Sequence, residues 1–267
     1  MRSYGNRTIS SAGKIGVALC AALLAVGGAW AASAVDQTKP AAPDGEVDIS
    51  LISGELTVVG WDRSEIQVTG DLGSGDPEFT FEVDGKEARI EVDPREDSYG
   101  GGPDLEVRIP RGSSLEIAGI SVEISVSQVA GATEIETVSG SVVVGQAPAE
   151  LEIEGVSGTV EVTGDTSIES LEVELVSGNV RVDVPLSASA RVEMESVSGD
   201  LTIFLPASLS AEIDVETFSG SIENEFGGEV RKTSEYTPAR ELATRIGGGD
   251  ARIDIQSFSG TVTLRKK

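Results

Sequence analysis

Apolar and polar residues alternate with a period of two along most of the chain, and the alternation keeps step with a recurring apolar-Ser-Gly tripeptide. Its copies are Ile52-Ser53-Gly54, Val138-Ser139-Gly140, Val156-Ser157-Gly158, Val176-Ser177-Gly178, Val197-Ser198-Gly199, Phe218-Ser219-Gly220 and Phe258-Ser259-Gly260, with Ile120-Ser121-Val122 as a degenerate copy. From Ser121 onward the serines are separated by 18, 18, 20, 21, 21 and 40 residues, and the last interval reads as two units of about 20 with one serine lost.

Alignment on the serine gives each position a task. Four residues upstream stand Ile49, Ile117, Ile135, Ile153, Val173, Met194, Val215 and Ile255, and three downstream stand Leu56, Ile124, Val142, Val160, Val180, Leu201, Ile222 and Val262. Both flanks therefore predict half-buried strands, joined at a Ser-Gly corner where glycine suits a bend with positive φ. A unit this short cannot bury its own apolar face, so copies must stack with like positions about 4.8 Å apart. The short connections leave no room for crossover helices. The expected fold is all-β, a parallel β-solenoid of roughly 20-residue repeats; an antiparallel meander is the alternative.

Two segments depart from the period. EFTFEV and EARIEV around Asp84-Gly85-Lys86 predict a hairpin, followed by the Gly-rich SYGGGPD and a strand LEVRIP. Residues 60–114 are read as irregular strands that cap the solenoid, 115–226 as regular repeats, 227–249 as a loop excursion projecting from the body, and 250–267 as the final repeat. Trp61 and the 227–249 segment lie outside the regular wall and are where a partner-specific site would be sought, with a packed cap residue as the other reading of Trp61.

The first fourteen residues carry Arg2, Arg7 and Lys14 and no acid, and an apolar run from Ile15 to Trp30 follows. With Ala32 and Ala34 in small-x-small spacing, this order predicts a signal peptide over 1–34 and a single mature domain over 35–267. The apolar run is interrupted by Gly27 and Gly28 and falls short of the roughly 20 residues that cross a bilayer. The mature chain is thus expected to be extracytoplasmic, whether periplasmic, at the cell surface or secreted, and not an integral membrane protein. Leu19 precedes Cys20 where lipidation needs a small residue.

Charge narrows the partners. The chain carries 20 basic and 45 acidic residues; without the three basic residues of 1–34 the balance is 17 against 45, a formal charge of −28. Nucleic acid is thereby excluded as a partner, and anionic lipid surfaces are disfavoured. There is no histidine, and Cys20 is the single cysteine. Ser-His-Asp and Cys-His nucleophilic sites, and nearly all zinc and copper sites, are excluded from the mature part. The glycine-rich stretches lack the Gly-Lys-Ser/Thr of a phosphate loop. No enzyme is expected.

The acids follow the repeat. Five residues before the serine stand Asp48, Glu116, Glu134, Glu152, Glu172, Glu193, Asp214 and Asp254; three before it stand Glu136, Glu154, Glu174, Glu195 and Glu216. Stacked in register they make two adjacent carboxylate columns, and unit charges about 4.8 Å apart repel by roughly 1 kcal/mol even in water. Such columns gather cations. The candidate calcium wall is Glu134, Glu136, Glu152, Glu154, Glu172, Glu174, Glu193, Glu195, Asp214 and Glu216, and the same wall suits a cationic partner; a solvated face that keeps the solenoid soluble is the other reading.

The V-S-G-x-V-x-V units, the segment ISGELTVVGWDRSEIQVTG and the closing GGGDARIDIQSFSGTVTLRK resemble the putative-adhesin family of bacterial β-strand-repeat proteins, over nearly all of the mature chain. The resemblance implies a right-handed β-helix-like fold at the envelope or cell surface and brings no catalytic residues. The expected function is an adhesin-like or structural binding protein with an envelope or surface partner, cationic or polysaccharide. The alternative is a calcium-dependent β-helix protein that binds or cleaves polysaccharide, since paired carboxylates serve both; yet the acids follow the repeat where an active site normally breaks it.

Overall fold

A computed structural model describes residues 34–94 and 101–267. The expected signal peptide lies outside the described residues, Ala34 excepted. All regular structure here is β. In chain order the strands are β1 (Ala34–Pro40), β2 (Glu46–Trp61), β3 (Glu65–Asp71), β4 (Glu78–Asp84), β5 (Glu87–Asp93), β6 (Asp104–Pro110), β7 (Ser114–Ser127), β8 (Thr133–Gly145) and β9 (Glu150–Thr163). They continue as β10 (Ile168–Asp183), β11 (Leu186–Ser198), β12 (Leu201–Leu205), β13 (Ala211–Thr217), β14 (Ser221–Asn224), β15 (Arg231–Lys232), β16 (Arg240–Ile246), β17 (Ala251–Ser259) and β18 (Thr261–Lys266). Pairing joins them in one 18-stranded sheet, mostly parallel.

The serine alignment is also the register of the stack. β7, β8, β9 and β10 lie parallel in that order, with Ser121 beside Ser139, Ser139 beside Ser157, and Ser157 beside Ser177. Each strand turns at its Ser-Gly and continues into a second limb. Ser139, Ser157 and Ser177 donate their hydroxyl protons to the carbonyls of Ile120, Val138 and Val156 at 3.1, 3.3 and 3.2 Å, so the corner serines tie each rung to the next. The inward residues stack into columns: Ile117, Ile135, Ile153, Val173 and Met194 are wholly buried. Like side chains lying above one another at one spacing can all take the same rotamer, which is why a single alternating pattern fills the whole core.

After β10, sequence order and stacking order part. β10 carries β11 and β12, but these pair with β17 and β18, placing Ser198 beside Ser259 and Leu201 beside Val262. β13 and β14 lie on the far side of β17 and β18. The final repeat is thus an interior rung. The interval expected to hold a further unit with a lost serine holds none: β16 runs antiparallel along β13, from Ile246 opposite Ala211 to Arg240 opposite Thr217. Residues 227–249, expected as a projecting loop, therefore supply the strand that covers this end of the stack. Leu242 is the cause, since it is buried while Glu241 and Ala243 on either side face out, the pattern of a one-faced edge strand.

The segment 60–114 is more regular than its composition suggests. β5 and β6 lie parallel on the two limbs of β2 and complete a rung of their own. β4 forms the expected hairpin with β5, and β3 and then β1 extend antiparallel from β6. Antiparallel strands thus flank the parallel stack at both ends, along β5 and β6 at one and along β13 at the other, and cover edges that would pair with other chains; β14 pairs with β18 alone. Trp61 belongs to this end: its Nε1 donates to the Glu65 carbonyl at 2.8 Å and the Arg63 guanidinium lies 4.8 Å from its ring centroid, so the ring packs on the turn between β2 and β3.

Candidate binding groove

The first limb of each rung presents buried residues at even offsets before the serine and outward residues at odd offsets. The acids occupy offsets five and three. At offset five the stack reads Asp48, Glu116, Glu134, Glu152, Glu172, Glu193, Asp254, Asp214, with Asp254 seated between Glu193 and Asp214. At offset three it reads Glu136, Glu154, Glu174, Glu195, Gln256, Glu216. The structure therefore brings eight of the ten expected wall residues together as four adjacent pairs, Glu134 to Glu195, and separates Asp214 and Glu216 from them by the rung of β17. The separation follows from the strand order.

The remaining odd offset, one before the serine, is apolar. Val138, Val156, Val176 and Val197 are 47–52% exposed, and Phe258 and Phe218 continue the row with rings stacked at 4.8 Å between centroids. The glutamates at offset three and this apolar row are the two walls of a groove of about 790 Å³ that runs across the rungs. Its floor is made by the residues at offset two, among them Thr137, Gly155, Ser196, Ser257 and Thr217, and Thr233, Ala239 and Arg240 close it beside Phe218. Thr137 and Ser196 hydroxyls donate to the carbonyls of Ser139 and Ser198, whereas Ser257, 6% exposed, has no hydrogen-bond partner for its Oγ.

A model of the Toastrack DUF4097 family matches residues 40–211 and 189–265. The chain belongs to the Toastrack DUF4097 family. Among solved structures it is similar to a putative cell adhesion protein from Clostridium sporogenes, at 14% identity over 88% of this chain and 100% of that one, with a TM-score of 0.38. It is also similar to a putative lipid binding protein from Parabacteroides distasonis, at 14% identity over 86% of this chain and 96% of that one, TM-score 0.39. A putative adhesin from Bacteroides fragilis matches at 10% identity over 86% and 96% of the two chains, TM-score 0.29. No curated protein matches this member of the Toastrack family. Among its described residues no helix is long and apolar enough to cross a membrane.

The electrostatics of the wall follow from its register. Loss of solvent pushes the carboxyls of Glu152, Glu154 and Glu195 above the ordinary glutamate value, and the like charges of Glu134 and Glu172, of Glu174 and Glu136, and of Glu174 and Glu193 respectively push them further. Glu116 and Asp214 are raised in the same way, with Arg252 opposing the shift at Asp214. A carboxyl raised on folding ionises more readily in the unfolded chain, so its ionisation works against the fold. The penalty is absent below the ordinary carboxylate value and complete above the raised one. The melting temperature is therefore expected to rise as pH falls from 7 toward the ordinary glutamate value of 4.5, and added salt at pH 7 should raise it too. Asp44 acts oppositely, since Lys86 holds it below the ordinary aspartate value of 3.8, but its contribution is lost only at lower pH. Thermal unfolding across pH 4–8 checks this; a flat or inverted dependence would mean the columns are solvated independently.

Three carboxylates converge away from the groove. Ligand oxygens of Glu46, Asp48 and Glu116 lie within 4.8 Å of one another, and Asp48 Oδ1 is enclosed without a hydrogen-bond partner. Asp48 and Glu116 are neighbours in the serine alignment, but Glu46 stands seven residues before Ser53, outside both carboxylate columns, so the cluster was not legible there. The apolar row was legible: the residue before each serine has the odd offset of the acids and so must face outward with them.

Proposed function

We propose that the chain is a non-catalytic, adhesin-like binding protein of the bacterial envelope that holds a cationic partner along the groove. The observation that carries this reading is the run Glu136, Glu154, Glu174 and Glu195 on adjacent strands, beside an exposed apolar row. A standing line of like charge in a concave site attracts cations and offers them several carboxylates at once. The basic and apolar order of residues 1–34 supports export to the periplasm, the cell surface or the medium. The winding proposed for the stack is a right-handed β-helix-like coil with turns of about 20 residues, in keeping with the right-handed rule for parallel connections.

Calorimetric titration of octalysine into residues 35–267 tests the reading. Binding is expected at low ionic strength, weakened by salt and by the triple variant Glu154→Gln, Glu174→Gln, Glu195→Gln. No heat with the unaltered chain would sink it.

A second reading, favoured by the enclosed Asp48 oxygen, is a calcium site at Glu46, Asp48 and Glu116, which supply the hard oxygen ligands that calcium takes. It would make partner binding, polysaccharide included, calcium-dependent. Millimolar calcium should then raise the melting temperature, and Asp48→Asn should abolish the rise; a rise removed instead by the triple glutamine variant would place calcium on the wall.

A further inference from the structure

Resting on that reading, we propose that the groove takes an extended segment of a partner protein in which basic and apolar side chains alternate. The two walls differ in chemistry and run side by side, two residues apart along each strand, with the offset-two residues between them. A chain in extended conformation sends successive side chains to opposite sides, so alternation of basic and apolar residues would set every basic group against the glutamates and every apolar one against the valines. The groove spans the rungs from β7 to β13, six spacings of about 4.8 Å, or roughly 29 Å, which is the length of eight or nine extended residues at about 3.4 Å each.

An extended chain lets alternate side chains meet both walls along the whole groove, whereas a helix about 10 Å across turns only one face to it, with its residues three and four apart. A polyamine would satisfy the carboxylates and leave the apolar row in water. A second copy of this chain is a poor occupant, because each copy carries a net charge of −25.

The two halves of the groove also differ. Glu136, Glu154, Glu174 and Glu195 line one half with no basic residue among them; the other is lined by Gln256, the stacked Phe258 and Phe218, and one acid and one base, Glu216 and Arg240, whose formal charges cancel. The basic residues of the segment thus belong in the glutamate half and an uncharged, aromatic residue in the phenylalanine half. The Ser257 hydroxyl lies enclosed beneath that half of the groove without a hydrogen-bond partner. The wall strands already pair with one another through their backbones, so the segment is read by side chains and not by strand addition.

Fluorescence anisotropy with residues 35–267 and three labelled nonapeptides tests this. One alternates lysine and valine and ends in phenylalanine; the second has serine for its apolar residues; the third has glutamine for its lysines. The first is expected to bind about tenfold more tightly than the second, because the apolar wall is covered only by the first. The double variant Val156→Ser, Val176→Ser should lose that advantage while binding the second peptide as before; its melting temperature shows that the fold is kept. If the first two peptides bind alike, or the double variant binds the first peptide undiminished, the proposal is overturned while a cationic partner still stands. If neither lysine peptide binds, the proposal and the reading beneath it fall together. Tight binding of the glutamine peptide would overturn the role of charge, and a dimer dissociated by the double variant would make the occupant a second copy.

Discussion

Gly178→Ala is expected to remove about 2–6 kcal/mol of stability, enough to unfold many domains whose total is about 5–15 kcal/mol. Two costs add at this corner. The backbone φ is 140°, a conformation that only glycine adopts freely. A Cβ there would also be driven into the carbonyl oxygen of Gly158 in the rung below, and that oxygen belongs to backbone that cannot move without shifting its own rung. Gly158 stands in the same relation to Gly140, Gly199 to Gly178, and Gly260 to Gly199, so the corners form a spine of glycines in close backbone contact. Gly85→Ala is the control: its φ is also positive, at 65°, but nothing lies within 4 Å of the added carbon, and only about 1 kcal/mol is expected. Equilibrium denaturation of the two variants decides. Equal losses would mean that close approach contributes nothing and backbone conformation alone sets the corner.

Truncation after Gly249 is expected to do more damage than loss of a terminal repeat. In a linear stack, removing the last unit costs one interface. Here β17 and β18 separate β11 and β12 from β13 and β14, so both their interfaces disappear. Ile253, Ile255, Val262 and Leu264, all at most 1% exposed, leave the core with them. Hydrogen exchange should show protection lost across β13, β14 and β16 and reduced in β11 and β12, with β7 to β9 still protected as a separate cooperative unit. Retained protection in β13 would contradict the interior position of the last repeat.

Much of this architecture was legible in the chain. Period-two alternation fixed which residues face the core, because a strand has only two faces; the corner serines marked the register, because Ser139 and Ser157 donate to the carbonyl just before the serine of the neighbouring rung. The hairpin of β4 and β5 and the carboxylate columns followed from the same local rules. The groove was half legible: the parity of the residue before the serine marks it as exposed, but an apolar residue in a repeat motif reads most readily as core.

What the sequence could not decide was the order of the rungs. Phe258-Ser259-Gly260 has the local pattern of every other copy and would fit any slot in a stack of like strands. Its place is set by contacts distant in sequence: Asp200 accepts a hydrogen bond from the Thr261 amide at 2.8 Å, Lys267 reaches Asp183 at 2.9 Å, and Phe258 stacks on Phe218. That order in turn determined that Gln256 interrupts the glutamate wall and that Arg240 closes the groove beside the two phenylalanines. A repeat states how each unit meets a neighbour, since that information is local to the unit. Which neighbour it meets is a property of the assembled chain, and only the tertiary structure supplies it.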